Sequence, residues 1–278
     1  MPRRSSIAFL ALLLGALLTP AAAQAPAPRR AAGAPGERVR VKAVVFVPKG
    51  LASPTADQLS LLWRHVTWAQ QNYKRMLGGR DTFTLAGTAP EVVTGTGDSA
   101  HYDKVRPLAP AVALELFQRD RVDRLTCPYV YVAVIWGRKW QPHGAPFNPG
   151  DSGGGGIVMM GGVNLLTAAP FQWAMVHELG HAFGLVHAGL YGYDQKTHNS
   201  VMAYNQEMHT NFLEPGRNPL IFMPEDVRRL ARNKRVFPEL TFDPKRDVPA
   251  GYRLHPTIIR LKAMDFDGKD DEPRGSAP

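Results

Sequence analysis

The chain has 278 residues, of which 44% are hydrophobic, 9% aromatic and 21% charged, enough apolar material for a real core and too much for a disordered or collagen-like polymer. Thirty-three Lys and Arg against 24 Asp and Glu leave a formal charge of +9. The basic residues are scattered or fall at helical spacing, as at Arg228, Arg229, Arg232, Lys234 and Arg235. That pattern describes a solvated face rather than a nucleic-acid stripe, so nucleic acid is not an expected partner.

Arg3 and Arg4 precede an apolar run over residues 7–18 that is too short for a membrane span. The run ends in Thr19-Pro20-Ala21-Ala22-Ala23, small residues of the type a signal peptidase cuts, so residues 1–23 read as a signal peptide. No later stretch is long and apolar enough to cross a bilayer. The expectation is therefore a secreted or periplasmic chain without stable membrane insertion. Its single cysteine, Cys127, has no partner for an intramolecular disulfide and reads as structural. Residues 24–36 are mainly Ala, Pro, Gly and Arg and read as a disordered linker.

The folded part opens with alternating, β-branched residues 38–47, a strand that becomes fully buried toward its end and is stopped by Pro48 and Gly50. Leu59, Leu62, Trp63, Val66, Tyr73 and Met76 then recur at three-, four- and seven-residue steps, predicting a long amphipathic helix entered near Ser53-Pro54-Thr55 and ended by Gly78-Gly79. Short strands are expected at residues 82–85 and 91–94, and a second helix at 111–124. Residues 129–136 are almost continuously apolar and β-forming, as in a central strand covered on both faces. The Pro- and Gly-rich residues 141–156 read as a loop. Ile157, Val158, Met159 and Met160 follow as a short strand between glycines, read as a sheet edge. A terminal helix near residues 224–235 carries Glu225 and Asp226 at its start and Arg232, Lys234 and Arg235 at its end, matching the helix dipole.

The chemistry is concentrated in His177-Glu178-Leu179-Gly180-His181-Ala182-Phe183-Gly184-Leu185-Val186-His187, which begins inside a helical pattern. Histidines four apart lie on one helix face, one turn from each other, where their nitrogens can converge on a zinc ion at about 2.0–2.1 Å. Glu178 projects beside them as a general base for water that the metal activates, and later as the proton donor to the leaving amine. Gly184 permits a left-handed turn that ends the helix and returns the chain to deliver His187 as third ligand. Three protein ligands leave the fourth position open, which separates a catalytic zinc from a closed structural one.

This extended motif resembles that of the metzincin zinc peptidases, and Ser200-Val201-Met202-Ala203-Tyr204 resembles their Met-turn. The resemblance implies that Met202 is the apolar base beneath the metal; the alternative is an ordinary core methionine. Tyr204 matches a position where astacin-like and serralysin-like members carry a tyrosine that approaches zinc or holds the oxyanion; the alternative is a structural phenol. Ala188, directly after the third histidine, matches no subfamily mark. Among the other histidines, His143 and His198 lie in segments that can face the cleft. The acidic residues 265–272 lack the ligand spacing of an EF-hand and read as a solvated tail.

These readings combine into an α/β chain of α+β, zincin-like class: a mixed twisted sheet with two long helices, an active-site helix, and an irregular C-terminal subdomain holding the Met-turn and the terminal helix. The catalytic domain is placed at residues 37–243, with an upper lobe over 37–181 and a lower lobe over 182–243. Residues 244–278 form an extension with a disordered end. The expected function is secreted zinc-dependent endopeptidase, one Zn2+ per chain, acting on a protein or peptide that pairs with the strand of Ile157, Val158, Met159 and Met160. The competing expectation is an exported zinc-containing binding or adhesion protein with little hydrolysis. Glu178 discriminates the two, because binding alone has no need of a base. The sequence sets neither the substrate nor the oligomeric state.

Overall fold

Strand β1 (Arg40–Lys49) alternates its side chains between two cores: Val41, Ala43, Val45 and Val47 face one, Val44 and Phe46 the other. Such two-sided burial is the signature of a central strand covered by helices on both faces. The computed structural model describes residues 37–139, 142–148, 155–162, 168–196, 198–204, 220–259, 262 and 264–266. The proposed signal peptide, the linker 24–36 and the tail 267–278 lie outside them.

Helix α1 (Ala56–Met76) begins at Thr55, whose hydroxyl accepts the Gln58 N–H while the Gln58 side chain accepts the Thr55 N–H, a capping box. After it come β2 (Thr84–Leu85), β3 (Glu91–Asp98), α2 (Ser99–Lys104), α3 (Leu108–Asp120) and β4 (Tyr129–Ile135). They are followed by β5 (His143–Pro146), β6 (Gly156–Gly161), α4 (Ala168–Ala182), a single 3-10 turn (Ala188–Tyr191), α5 (Pro224–Leu230) and α6 (Pro244–Asp247). The six strands form one mixed sheet in the order β2-β1-β4-β6-β5, with β3 also on β1. All pairs are parallel except β5 against β6. α1 and α4 cover one face and α3 the other. This is the mixed α+β class expected from the sequence. No helix among the described residues is long and apolar enough to cross a membrane.

Tyr73 ties the layers together. Its ring packs against Phe83, Phe183, Phe222 and Phe237, and its hydroxyl donates to the Val176 carbonyl at 3.0 Å, one residue before the first motif histidine. α4 is thus pinned to α1 through the core.

Several expectations need correction. β6 is not an edge: it pairs with β4 on one side and β5 on the other, and Ile157, Val158, Met159 and Met160 are all buried. The described end of the sheet is β5, inside the segment read as a loop. Its residues, His-Gly-Ala-Pro, have low β-propensity, and pairing with β6 overrides that preference. The terminal helix ends at Leu230 rather than Arg235, the chain continuing in turns. The helix expected at 111–124 starts at Leu108 and ends at Asp120, because Arg121 adopts a left-handed conformation (φ 55°). The basic run 228–235 is only partly solvated. Arg229 is buried, Arg228 donates to the His255 carbonyl (2.7 Å) and Arg235 to the Glu37 carbonyl (3.0 Å). Cys127 is buried with its thiol pushed up to about 12, chiefly by desolvation, which agrees with a structural role.

Candidate metal centre

The geometry of the centre starts at the end of α4. Gly184 has φ 95°, a conformation that costs other residues strain, and it closes a Schellman turn: its N–H reaches the His181 carbonyl (2.8 Å) and the Leu185 N–H reaches the Gly180 carbonyl (2.8 Å). That turn places the Leu185 carbonyl where it accepts from His181 Nδ1 at 2.9 Å. The glycine foreseen as a helix terminator therefore also orients the His181 ring.

His177 is held from the other side. Its Nδ1 lies 2.7 Å from the Val201 carbonyl, inside the segment expected to be the Met-turn. The same segment receives the chain just after His187, through Ala188 N–H to the Met202 carbonyl (2.9 Å). A carbonyl only accepts, so Nδ1 of both His177 and His181 carries the proton and Nε2 keeps its lone pair. The three Nε2 atoms then face one another, His181 to His177 at 3.1 Å and His181 to His187 at 3.0 Å.

This donor set fits a metal ion. Three imidazole nitrogens within 4.8 Å of one another form the one group of potential ligands found among the described residues. Two ligands at zinc distance in a tetrahedral arrangement are about 3.3 Å apart, close to the observed spacings. Burial, then the neighbouring His177 and His187, hold the pKa of His181 well below the usual imidazole range, and burial lowers that of His187. Both are kept neutral, the form that binds a cation.

Met202 is fully buried beneath the motif, and its sulfur accounts for Gly180. A Cβ on Gly180 would lie 2.4 Å from Met202 Sδ. The turn around Met202 is braced in turn by Ser200, whose hydroxyl accepts the Met202 N–H at 3.0 Å, and by Asp226 on α5, which bonds to Ser200 and accepts the Met223 N–H at 3.0 Å. Sequence reasoning placed Ser200 in the Met-turn segment without a role of its own and treated Asp226 as a dipole complement only. Desolvation pushes the Asp226 carboxyl up to about 7 from an ordinary 3.8. The native protein then binds a proton that the unfolded chain releases. The associated stability is complete below about pH 4 and is lost as pH rises to about 7. Asp226→Asn, measured in the metal-free protein by denaturant unfolding across that window, is expected to flatten this slope. The effect at stake is on the order of 4 kcal/mol.

Glu178 lies on the side of α4 that faces β5, partly exposed. Desolvation pushes its carboxyl up to about 8, opposed by the Gly144 N–H that donates to it. Gly144 comes from β5, and the strand lies so close to α4 that a Cβ there would be 2.0 Å from the Glu178 carbonyl oxygen. Sequence reasoning missed Gly144; the glycine beside His143 was its only signal.

Tyr204 is 47% exposed, and its hydroxyl stands 2.6 Å from His187 Nε2, with the ring 5.3 Å from that of His177. It is thus brought to the centre rather than buried as a structural phenol. Its pKa is raised to about 12 by desolvation and by Glu178. His143 is exposed on β5. His198 turns inward, its Nδ1 accepting the Ser200 N–H at 3.0 Å and its ring packing on Tyr193. Ile157, Val158, Met159 and Met160 do not line the cleft as an edge.

No family model matches the sequence, and no curated protein matches it. Among solved structures, catalytic inactive OgpA from Akkermansia muciniphila, in complex with an O-glycopeptide (glycodrosocin) substrate, aligns at 16% identity and TM-score 0.45. That alignment covers 68% of this chain and 59% of the OgpA chain. Wild-type OgpA aligns in two crystal forms. One gives 16% identity and TM-score 0.47 over 77% of this chain and 65% of OgpA, the other 15% and 0.45 over 68% and 59%. The matched part is in each case less than two thirds of the OgpA chain.

Proposed function

We propose that this chain is an exported zinc-dependent endopeptidase of the metzincin type, binding one zinc ion through His177, His181 and His187 and using Glu178 as general base. The observation that carries this reading is the carboxylate of Glu178, set beside three converging imidazoles and oriented by the N–H of the strand that rims the cleft.

A bound zinc ion would polarise a peptide carbonyl and acidify water, and its charge would favour the ionised form of Glu178. Glu178 takes the proton from the attacking water at a carboxylate oxygen and returns it to the nitrogen of the leaving amine. The Gly144 N–H holds that carboxylate in place. Tyr204 donates its phenol proton toward the carbonyl oxygen as negative charge develops there. Backbone pairing with the peptide falls to β5 rather than to Ile157, Val158, Met159 and Met160. Met202 and Gly184 support the ligands without touching substrate.

Tyr204→Phe is expected to lower kcat by about 10²-fold with little change in KM, read from steady-state kinetics, because the donor acts on charge absent from the ground state. The reading itself is tested by cleavage of casein with and without a zinc chelator, with metal content determined on the same sample. Chelator-sensitive cleavage with one zinc per chain supports it. One zinc without cleavage of any peptide favours the binding or adhesion protein, and no zinc overturns both.

A further inference from the structure

The rim strand β5 sorts its backbone groups by alternation. The Phe147 N–H, just beyond the strand, pairs inward with the Gly155 carbonyl (2.9 Å), as Ala145 and His143 stand opposite Ile157 and Met159 of β6. The even positions, Gly144 and Pro146, therefore direct their backbone groups away from β6, to the open side of the strand. The Gly144 N–H goes to Glu178. Pro146 has no N–H, and its carbonyl accepts the Met264 N–H at 2.9 Å.

Met264 belongs to the C-terminal extension, and it arrives there held by packing. It is buried with Phe117 and Phe147, the Phe266 ring centroid lies 6.0 Å from both of those rings, and the Arg124 guanidinium sits 4.9 Å over Phe266. Nearer its start the extension is anchored to the lower lobe. The Tyr252 hydroxyl and the His255 N–H both donate to the buried Glu225 carboxylate, at 2.6 and 2.7 Å. The extension thus bonds both to β5 and to α5, and its bond to β5 uses the second outward position of that strand.

We propose that Met264 and Phe266 set substrate specificity by occupying that position, so that a peptide on β5 can bond at the Gly144 carbonyl and not at the Pro146 carbonyl. This rests on the peptidase reading above. A peptide pairing antiparallel to β5, the more stable arrangement and the one β5 already makes with β6, meets Pro146 two residues N-terminal to the residue at Gly144. Glu178 marks Gly144 as the reacting position. The substrate is therefore recognised through no more than about two residues on the N-terminal side of the scissile bond, and a longer N-terminal arm bends away without adding affinity.

The test is kcat/KM for peptides of one cleavable sequence whose N-terminal arm grows from one to five residues, with the C-terminal arm fixed. The full chain is compared with Met264→Pro, which removes the donor to Pro146, and with Phe266→Ala, which removes the ring that packs the segment down. The full chain is expected to plateau beyond two residues, while either variant gains about tenfold over the same range, the worth of the one backbone hydrogen bond regained at the Pro146 carbonyl. A rise of that size in the full chain overturns the proposal, as does a plateau unchanged in both variants. Absence of cleavage for every peptide, variants included, overturns the peptidase reading with it, whereas cleavage with the contrary profile overturns the barrier alone.

Discussion

On the proposed reading, Glu178→Gln is expected to keep the metal content of the parent chain and to lower kcat by about 10²–10⁴-fold, the usual contribution of a positioned general base. The amide is nearly isosteric with the carboxyl and still accepts the Gly144 N–H through its oxygen, so the cleft rim keeps its place. What is lost is the ability to take a proton from water and hand it to the leaving nitrogen. The three histidines lie on the other side of the division of labour: their Nδ1 contacts to Val201 and Leu185 do not involve Glu178. Metal analysis and steady-state kinetics on one preparation check both halves. A variant that cleaves normally removes Glu178 from the mechanism, and one that loses its zinc places the residue in the ligand framework instead.

Gly144→Ala is the second large effect, and it arises from backbone rather than chemistry. The added Cβ would stand 2.0 Å from the Glu178 carbonyl oxygen and 2.7 Å from its carbon. Neither is the end of a flexible side chain, so β5 and α4 must separate. Overpacking of this kind ordinarily costs about 1–3 kcal/mol, and a main-chain contact lies at or above the upper end. The displacement also draws the Gly144 N–H away from the Glu178 carboxylate. Misplacement by about 1 Å can reduce turnover by about 10²-fold. The expected result is a lowered thermal midpoint together with a drop of that order in kcat/KM, at undiminished zinc content. Unchanged kinetics would detach the rim from the base.

What the sequence conveyed divides along physical lines. The long amphipathic helix α1 and the apolar strands β1, β4 and β6 were legible because two-sided or one-sided burial writes a period into hydrophobicity. The convergence of His177, His181 and His187 and the helix-ending turn at Gly184 were legible because helix geometry fixes the spacing of side chains along one turn. β5 was not, since four residues containing Gly and Pro carry no periodic signal and become a strand only through β6. The edge was accordingly assigned one strand too early. Nor did anything local announce that Asp226 reaches Ser200, or that Met264 returns to Pro146: these partners are separated by 26 and 118 positions in the chain. The basic run 228–235 misled for the same reason, because the carbonyls at Glu37 and His255 that two of its members bind come from distant segments.

Among the described residues β1 is the first strand to be synthesised, yet every bond that completes it comes later. Its partners β2, β3 and β4 follow it, and its entry is fastened by the Val39 N–H to the Arg235 carbonyl at 2.9 Å, with Arg235 Nε returning to the Glu37 carbonyl at 3.0 Å. Residues nearly two hundred positions apart must meet before the sheet is anchored, and pairings of such sequence separation form slowly. A nascent chain stalled anywhere before Arg235 therefore lacks the clasp on its own first strand. The order of synthesis therefore leaves the entry of β1 unfastened until the segment after α5 has been made.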